Sequence, residues 1–310
     1  MRVAVTGGGG FIGSHVVDHL VSAGHEVVVV DLAARWRNPA ADYRAVDLFD
    51  QQGMAGALTD CQAVFHLAGA ADVNDVAADP VWAVRLNVEG TAQVLETARR
   101  TGCQRVLLAS TVWVYGATSG AGERTEDALV DIAQAGHVYV ATKLAAELLM
   151  HSYHAMYGQE FTILRYGIPY GPRMRDALVV AKFVRAALDS TPITIAGSGN
   201  QHRSYVYVED LADAHVRALS PAAANQVLAL EGGTPVSVRE IADTVCELVR
   251  PVPIEHVPAR AADYQGATIS NRAAKELLDW SPVTAFPDGV RRYLGWLEEA
   301  GALAGGDGVE

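Results

Sequence analysis

The sequence predicts an α/β fold: a doubly wound parallel sheet with a smaller, second α/β lobe. Three observations predict it. Apolar, β-branched runs alternate with helical periodicities as far as residue 166. Four consecutive glycines, Gly7 to Gly10, join the first such run to the first such periodicity. Beyond Tyr166 the rhythm gives way to Gly167, Pro169, Gly171 and Pro172. Residues 1–166 are therefore expected to form one domain, completed by strands and helices within about 200–235, while 167–199 and 236–310 form the lobe. No internal repeat is evident.

Arg2-Val3-Ala4-Val5-Thr6 is short, apolar and β-branched, and reads as a strand. Ile12, Val16, Val17 and Leu20 follow at helical spacing. In the turn between them, Gly7 lets the chain reverse sharply. Gly10 lets the backbone approach a pyrophosphate on the helix N-terminus, and Gly13 lets the helix pack close to the strand. The step from Gly7 to Gly10 is three residues, where the usual fingerprint has two. Val27 to Val30 form a second strand, ended by Asp31. An acid about 20 residues past such glycines hydrogen-bonds the hydroxyls of an adenosine ribose and repels a 2′-phosphate, which favours NAD over NADP. Arg35 and Arg37, just beyond, read as solvated loop charges.

Asp47-Leu48 either closes a third strand near an adenine or supplies a turn or cap acid. Ala63 to Leu67 is a strand whose end, Ala68-Gly69-Ala70, is small enough for a flat ligand to lie on the backbone. His66, inside that run, reads as a satisfied core histidine. Val81 to Arg99 reads as one long helix with Val84, Val88, Ala92 and Leu95 on a stripe, and with Asn87 able to bond across to a neighbouring strand. Arg105 to Ala109 is a strand ending in Ser110-Thr111, at the edge where open α/β sheets bind ligands. Gly116 to Glu126 reads as a loop. A helix begins near Tyr139 and continues through Leu144, Leu148 and Leu149; Thr162 to Tyr166 is a further strand. Residues 177–189 are helical, Pro192 to Ile195 a short strand, and Arg203 to Val208 an alternating strand that meets a helix start at Glu209. Val227 to Leu230 is one more strand. Ser237 and Glu240 form a capping box. Helices follow near 273–278 and 289–297, and residues 301–310 are expected to fray.

With 310 residues, half of them hydrophobic, the chain can bury a substantial core. A formal net charge of -12, without clustered Lys and Arg, argues against a nucleic-acid partner. Cys61, Cys103 and Cys246 are scattered, so neither a disulfide framework nor a thiolate metal site is expected. The His15/His19 and His151/His154 pairs lack an evident third ligand, so no metal is expected. A reducing compartment fits, no basic and apolar leader is visible, and no apolar run reaches the length of a membrane span; the expected location is cytoplasmic.

Tyr139 and Lys143 are four apart on one helix and face the same way. A phenol, with a pKa near 10, is a poor base at neutral pH. A neighbouring ammonium favours the phenolate, and a positive nicotinamide favours it further. A hydroxyl at Thr111 can hold the same substrate oxygen. Together these groups can remove a proton from a secondary alcohol while hydride leaves its carbon. Lys143 can also anchor the nicotinamide ribose.

These motifs resemble the extended short-chain dehydrogenase/reductase superfamily, in its nucleotide-sugar epimerase/dehydratase branch. The resemblance rests on Thr6 to Gly13, on Ser110-Thr111-Val112-Trp113-Val114-Tyr115-Gly116, and on Tyr139 with Lys143. It extends to Leu164-Arg165-Tyr166, Tyr170-Gly171-Pro172, Arg203 to Asp210 and Gly295-Trp296. It implies a Rossmann-type NAD-binding domain with a substrate-binding lobe, and Thr111, Tyr139 and Lys143 as catalytic residues. The implied cofactor contacts are Gly7, Gly10, Phe11, Ile12, Gly13, Asp31, Asp47, Leu48, Leu67, Ala68, Ala70 and Tyr166, besides Tyr139 and Lys143. The implied partner is a nucleotide-diphosphate sugar, with Arg203 and Arg260 on the diphosphate and Asp263 on the nucleotide ribose; guanidinium matches phosphate oxygens. A homodimer through helices within 84–99 and 139–156 is also implied.

The departures narrow the chemistry. Members that eliminate water usually carry Asp-Glu after the catalytic Thr, and decarboxylating members tend to have Glu at the second position. Here Val112 and Trp113 stand there, and neither transfers a proton. A 4-epimerase, which oxidises C4, rotates the keto sugar and reduces it from the other face, needs no such acid. Ile168 occupies a position where the family often has a substrate-contacting Asn. Gly171-Pro172-Arg173-Met174-Arg175 resembles the loop of hexuronic-acid epimerases, with Arg175 the preferred partner of a C6 carboxylate and Arg173 the second. UDP-glucuronate is slightly preferred as substrate, UDP-glucose and UDP-galactose next. The alternatives are an NAD(P)-dependent nucleotide-sugar 4-ketoreductase or dehydrogenase, and a non-catalytic NAD-binding regulatory protein.

Overall fold

A computed structural model describes residues 1–33, 35–117, 122–132, 135–258 and 268–301. Seven strands form a parallel sheet: β1 (Arg2–Thr6), β2 (Glu26–Val30), β3 (Asp42–Arg44), β4 (Ala63–His66), β5 (Arg105–Thr111), β6 (Glu160–Tyr166) and β10 (Gln226–Leu230). Their spatial order is β10-β6-β5-β4-β1-β2-β3. The chain thus winds outward in one direction from β1 and returns to wind in the other. The switch point, where such sheets bind ligands, lies between β1 and β4.

The sheet is covered on both faces, so its strands are nearly continuous in apolar residues. Ala4, Val28, Val64, Val106, Leu108 and Ile163 share one core with Met54 and Leu58 of α2 (Gln51–Leu58), Val94, Leu95 and Ala98 of α5 (Gly90–Thr101), and Met150 of α6 (Val138–Tyr157). Alternation sends Val3, Val5, Val27 and Val29 to the opposite face, where a Cβ on Gly8 in the turn would meet Val29 Cγ1 at 2.7 Å and Val17 Cγ2 of α1 (Phe11–Ser22) at 3.2 Å. Each fully buried Val, Leu or Phe contributes roughly 1.5–3 kcal/mol.

The expected single helix over Val81 to Arg99 is three pieces: α4 (Pro80–Val84), a π-helical turn (Arg85–Glu89) and α5. The wide turn resets the stripe. Ala83, Asn87, Val94, Leu95 and Ala98 are buried, whereas Val84 is 46% exposed. Gly90 N–H reaches back five residues to the Arg85 carbonyl, and Asn87 is aimed inward. The third strand ends at Arg44, short of Asp47. Residues 112–117, after β5, form a 3-10 turn.

The chain divides into two compact units. The first comprises Met1–Gly167, Leu211–Glu231 and Ala267–Ser281; the second comprises Ile168–Asp210, Gly232–Gly266 and Pro282–Glu310. Residues 201–210 therefore lie in the second unit, not the first, and 267–281 in the first. The second unit holds a three-stranded sheet of β7 (Ile168–Tyr170), β9 (His202–Tyr207) and β11 (Pro235–Ser237), and a parallel pair of β8 (Ile193–Ala196) and β12 (Ile254–Val257). Its helix α9 (Val238–Leu248) starts at the capping box: Glu240 N–H donates to Ser237 Oγ at 3.1 Å, and Ser237 N–H to Glu240 Oε2 at 2.6 Å. Among the described residues no helix is long and apolar enough to cross a membrane.

Candidate active site

At the glycine turn, Gly7 has φ +71°, and a Cβ there would meet Ala68 N at 2.6 Å. A Cβ on Gly13 would stand 2.1 Å from the Gly7 carbonyl oxygen. These two positions let strand, turn and helix close on one another. Gly10 differs: a Cβ there would meet only the Gly7 carbonyl oxygen, at 3.4 Å. Gly10 caps α1 without a side-chain hydrogen bond, so the N–H groups of Phe11 and Ile12 face the turn as free helix-end donors, which suits an anion. The motif reading missed Gly8, whose role is packing.

Asp31 follows β2. Its carboxylate accepts from Gly9 N–H at 2.9 Å and Ala33 N–H at 3.1 Å, which ties the strand end to the glycine turn. A cavity of about 270 Å³ opens there, lined by Asp31, Leu32, Arg35, Arg37, Tyr43 and Arg44. Arg35 and Arg37 are exposed loop charges, as expected, and stand on its rim. Their guanidinium groups lie 5.4 Å from the Trp36 ring centre and 5.1 Å from that of Tyr43. Asp47 is a turn acid, accepting from Phe49 N–H at 2.9 Å. Leu48 is buried against Gly90. The cradle of small residues, the uncapped helix end and the acid beside a nucleoside-sized cavity together fit a dinucleotide.

The end of β4 continues this surface. Ala68 packs on Gly7, and Ala70 is clamped by Asn87, whose Oδ1 accepts from Ala70 N–H at 2.7 Å and whose Nδ2 donates to Ala70 O at 3.0 Å. Asn87 therefore bonds the segment after β4, and also Thr142 Oγ1 at 3.0 Å. His66 lies beneath. Thr91 donates its hydroxyl to Asn87 O, so it accepts from His66 Nε2–H, and Nδ1 takes the Thr6 hydroxyl. Burial, and next the Lys143 charge, push the His66 pKa down to about 3. It is a neutral core histidine, as expected.

Thr111 ends β5 and is 6% exposed; its Oγ1 accepts from Trp113 N–H at 3.2 Å. Tyr139 sits in the first turn of α6, whose N-cap His137 accepts from Tyr139 N–H. The Trp113 ring stands edge-on to the Tyr139 ring, centroids 6.2 Å apart. Lys143 lies one turn on, 8% exposed, and donates to the Ala109 carbonyl at 2.9 Å, two residues before Thr111. Burial pushes its ammonium down to about 8, against the pull of Glu147. Tyr166 pairs with Thr111 in the sheet register. Its hydroxyl donates at 2.5 Å to His215 Nε2, because Nδ1–H of that ring serves Leu211 O. The Tyr166 hydroxyl is thus engaged in the core, and burial holds its pKa well above the ordinary value.

A second layer went unread in the sequence. Glu147 accepts from Ser110 Oγ at 2.5 Å and from Arg165 at 3.0 and 2.7 Å. Arg165 also donates to Tyr115 Oη at 3.0 Å. The YxxxK spacing continued by one more turn, to Glu147, is the signal that was available.

Arg173, Arg175 and Arg203 belong to the second unit. Arg173 is half-buried with φ +64°, Arg175 is exposed, and Arg203 is half-buried on β9 and donates to His202 O. Arg260 and Asp263 lie outside the described residues. Among the described residues no group of three or more His, Cys, Asp and Glu could hold a metal ion. His151 and His154 pack edge-on to Phe161.

Comparison with known proteins agrees with this geometry. The sequence profile of the NAD dependent epimerase/dehydratase family matches residues 3–229. The chain is 33% identical to a UDP-glucose 4-epimerase of Mycolicibacterium smegmatis, covering 95% of this chain and 97% of that one. It is also 33% identical to UDP-glucuronic acid decarboxylase 1 of Arabidopsis thaliana, over 95% of this chain and 69% of the plant protein. Among solved structures, the UDP-glucuronic acid 4-epimerase of Bacillus cereus, in complex with UDP-glucuronic acid and NAD, superposes with a TM-score of 0.87 at 26% identity, covering 97% of this chain and 100% of that one. A glycine cradle at the switch point, an acid closing β2 and a Tyr-Lys pair on α6 accompany these matches, and the chain belongs to the NAD-dependent epimerase/dehydratase family of extended short-chain dehydrogenase/reductases.

Proposed function

We propose that this protein is a nucleotide-sugar 4-epimerase, with UDP-glucuronate its preferred substrate and UDP-glucose or UDP-galactose next. The observation that carries the reading is that Thr111 ends β5 between Ala109, whose carbonyl holds Lys143, and Trp113, whose ring meets Tyr139 edge-on, with no further proton-transfer side chain at Val112 or Trp113. NAD, held at the glycine turn and Asp31, would supply the chemistry of taking up a hydride from C4 and giving it back. Tyr139, as phenolate, takes the C4 hydroxyl proton and gives it back after the keto sugar has turned over. Thr111 holds the same oxygen by a hydrogen bond. Lys143, held by Ala109 O, stabilises the phenolate by its charge and has two further N–H donors for a ribose. The apolar Val112 and the indole of Trp113 offer no acid for elimination or decarboxylation.

Arg203 and Arg260 are the proposed diphosphate ligands, Asp263 the ligand of the nucleotide ribose, and Arg175, with Arg173, the partner of a C6 carboxylate. The similarity of the B. cereus enzyme, solved with UDP-glucuronic acid, supports a uronate; the M. smegmatis relative supports a neutral hexose. The test is product analysis by NMR after incubation with UDP-glucuronate and, separately, UDP-glucose, without added NAD. A mixture of C4 epimers is expected. A pentose product would establish a decarboxylase, like the A. thaliana relative. Reduction of a 4-keto sugar only with added NAD(P)H would establish a ketoreductase, and bound NAD without any turnover a regulatory protein.

We also propose a homodimer. Within 84–99 and 139–156, Val84, Leu148 and Met156 are 46%, 67% and 68% exposed, apolar side chains available to a second copy. Sedimentation should give twice the chain mass; the single-chain mass would contradict it.

A further inference from the structure

Three charged side chains lie almost wholly inside the first unit at the end of its sheet: Lys143, Glu147 and Arg165, respectively 8%, 5% and 6% exposed. Buried charges are costly unless paired. Arg165 and Glu147 make a two-bond pair between β6 and α6. Glu147 also takes the Ser110 hydroxyl, from the residue before Thr111, and Arg165 takes Tyr115 in the turn after β5. Ser110 and Arg165 face each other in the β5–β6 register. One carboxylate therefore joins α6 to both strands whose ends carry the site.

From this geometry we infer that Glu147 is a positioning residue: it keeps the buried Lys143 ammonium charged and fixes the Tyr139–Lys143 helix against Thr111. Tyr139, Lys143 and Glu147 stand at successive four-residue steps on α6, so Lys143 lies between the phenol and the carboxylate. The other titratable groups near Lys143 do not supply a counter-charge. His66, on β4, is neutral, and Tyr166, on β6, is held protonated by burial. Arg165, also on β6, carries the same sign as Lys143 and is itself paired with Glu147. The buried set of two cations and one anion carries one positive charge in excess. A phenolate at Tyr139 balances it. Glu147 lets that excess sit on Lys143 as an ammonium.

The inference rests on Tyr139 and Lys143 as the proton-transfer pair, but its test does not depend on turnover. The chain has only three lysines, Lys143, Lys182 and Lys275, and the other two are exposed. Lysine labelled with carbon-13 at Cε therefore gives three resolvable NMR titrations. In NAD-bound protein, Glu147→Gln should lower the Lys143 midpoint by about one pH unit or more, leaving Lys182 and Lys275 unmoved. Glu147→Asp should restore part of the shift. Should Glu147→Gln not fold, because Arg165 is left unpaired, the double variant Glu147→Leu with Arg165→Met removes both charges while keeping apolar volume, and its Lys143 midpoint should fall too. An unchanged Lys143 midpoint in these variants overturns the inference, whatever the enzyme's substrate proves to be. If the protein turns over a nucleotide sugar, the alkaline limb of its rate profile should move down with the NMR midpoint; a rate profile that stays put while the midpoint moves contradicts the positioning role alone.

Discussion

Helices α5 and α6 lie side by side against the same face of the sheet and share its apolar core, yet only α6 buries charged side chains there. The former turns Val94, Leu95 and Ala98 inward and Arg99 and Arg100 outward. The latter buries Lys143 and Glu147 and leaves Leu148, Met156 and Tyr157 exposed. The pattern of α5 follows from the hydrophobic effect alone. That of α6 costs stability at both faces, and a fold accepts such a cost where chemistry or assembly uses it. The difference teaches where to look: α5 holds the sheet together, and α6 does something with it.

The comparison is broken most decisively at Tyr139. Tyr139→Phe removes the proposed proton carrier and leaves the ring, so kcat should fall about a thousandfold with little change in the unfolding midpoint; a variant retaining a tenth of wild-type turnover would mean that another group moves the proton. Lys143→Met should lower kcat about a hundredfold and yet stabilise the fold. The native pKa of Lys143, about 8, lies below its ordinary 10.5. The folded protein thus holds this proton less tightly, loses stability below pH 8 and regains it between pH 8 and 10.5. Removing the charge should return up to roughly 3 kcal/mol at pH 7, at 1.36 kcal/mol per unit, read as a higher urea midpoint; a lower one would mean that the ammonium's contacts outweigh its burial. In the wild type, turnover should decline on the alkaline side near pH 8 as the ammonium is lost. On α5 the expectation reverses: Leu95→Ala should cost about 3 kcal/mol of stability and leave kcat per folded molecule close to wild type. A large loss of kcat there would erase the distinction between the two helices.

Much of this architecture is legible in the residues themselves. The glycine turn, Asp31, the hydroxyl-ended β5 and the Tyr139–Lys143 step each depend on local spacing, and local spacing is what a sequence displays. The π-helical turn at Arg85–Glu89 is different. Its one extra residue per turn is chosen by Asn87 reaching Ala70, a contact 17 residues away, and no periodicity announces it. The strands β7, β11 and β12 are three or four residues long, too short to establish alternation. The Glu147–Arg165–Ser110 cluster was unreadable for a related reason. Each member is an ordinary polar residue until the β5–β6 register and the α6 face bring them together. Arg35 and Arg37, similarly, gain their place only when the cavity beside Asp31 exists.

The central claim is that the polar face of α6 moves a proton while hydride leaves and returns to one carbon. UDP-glucuronate and UDP-glucose carrying deuterium at C4 test it most directly, with the protein as purified and unlabelled NAD(H) added in excess. The account predicts that the C4 epimer forms with deuterium retained at C4, and that Tyr139→Phe forms none. Deuterium passing to the added cofactor, or loss of the C6 carbon as carbon dioxide, would contradict it.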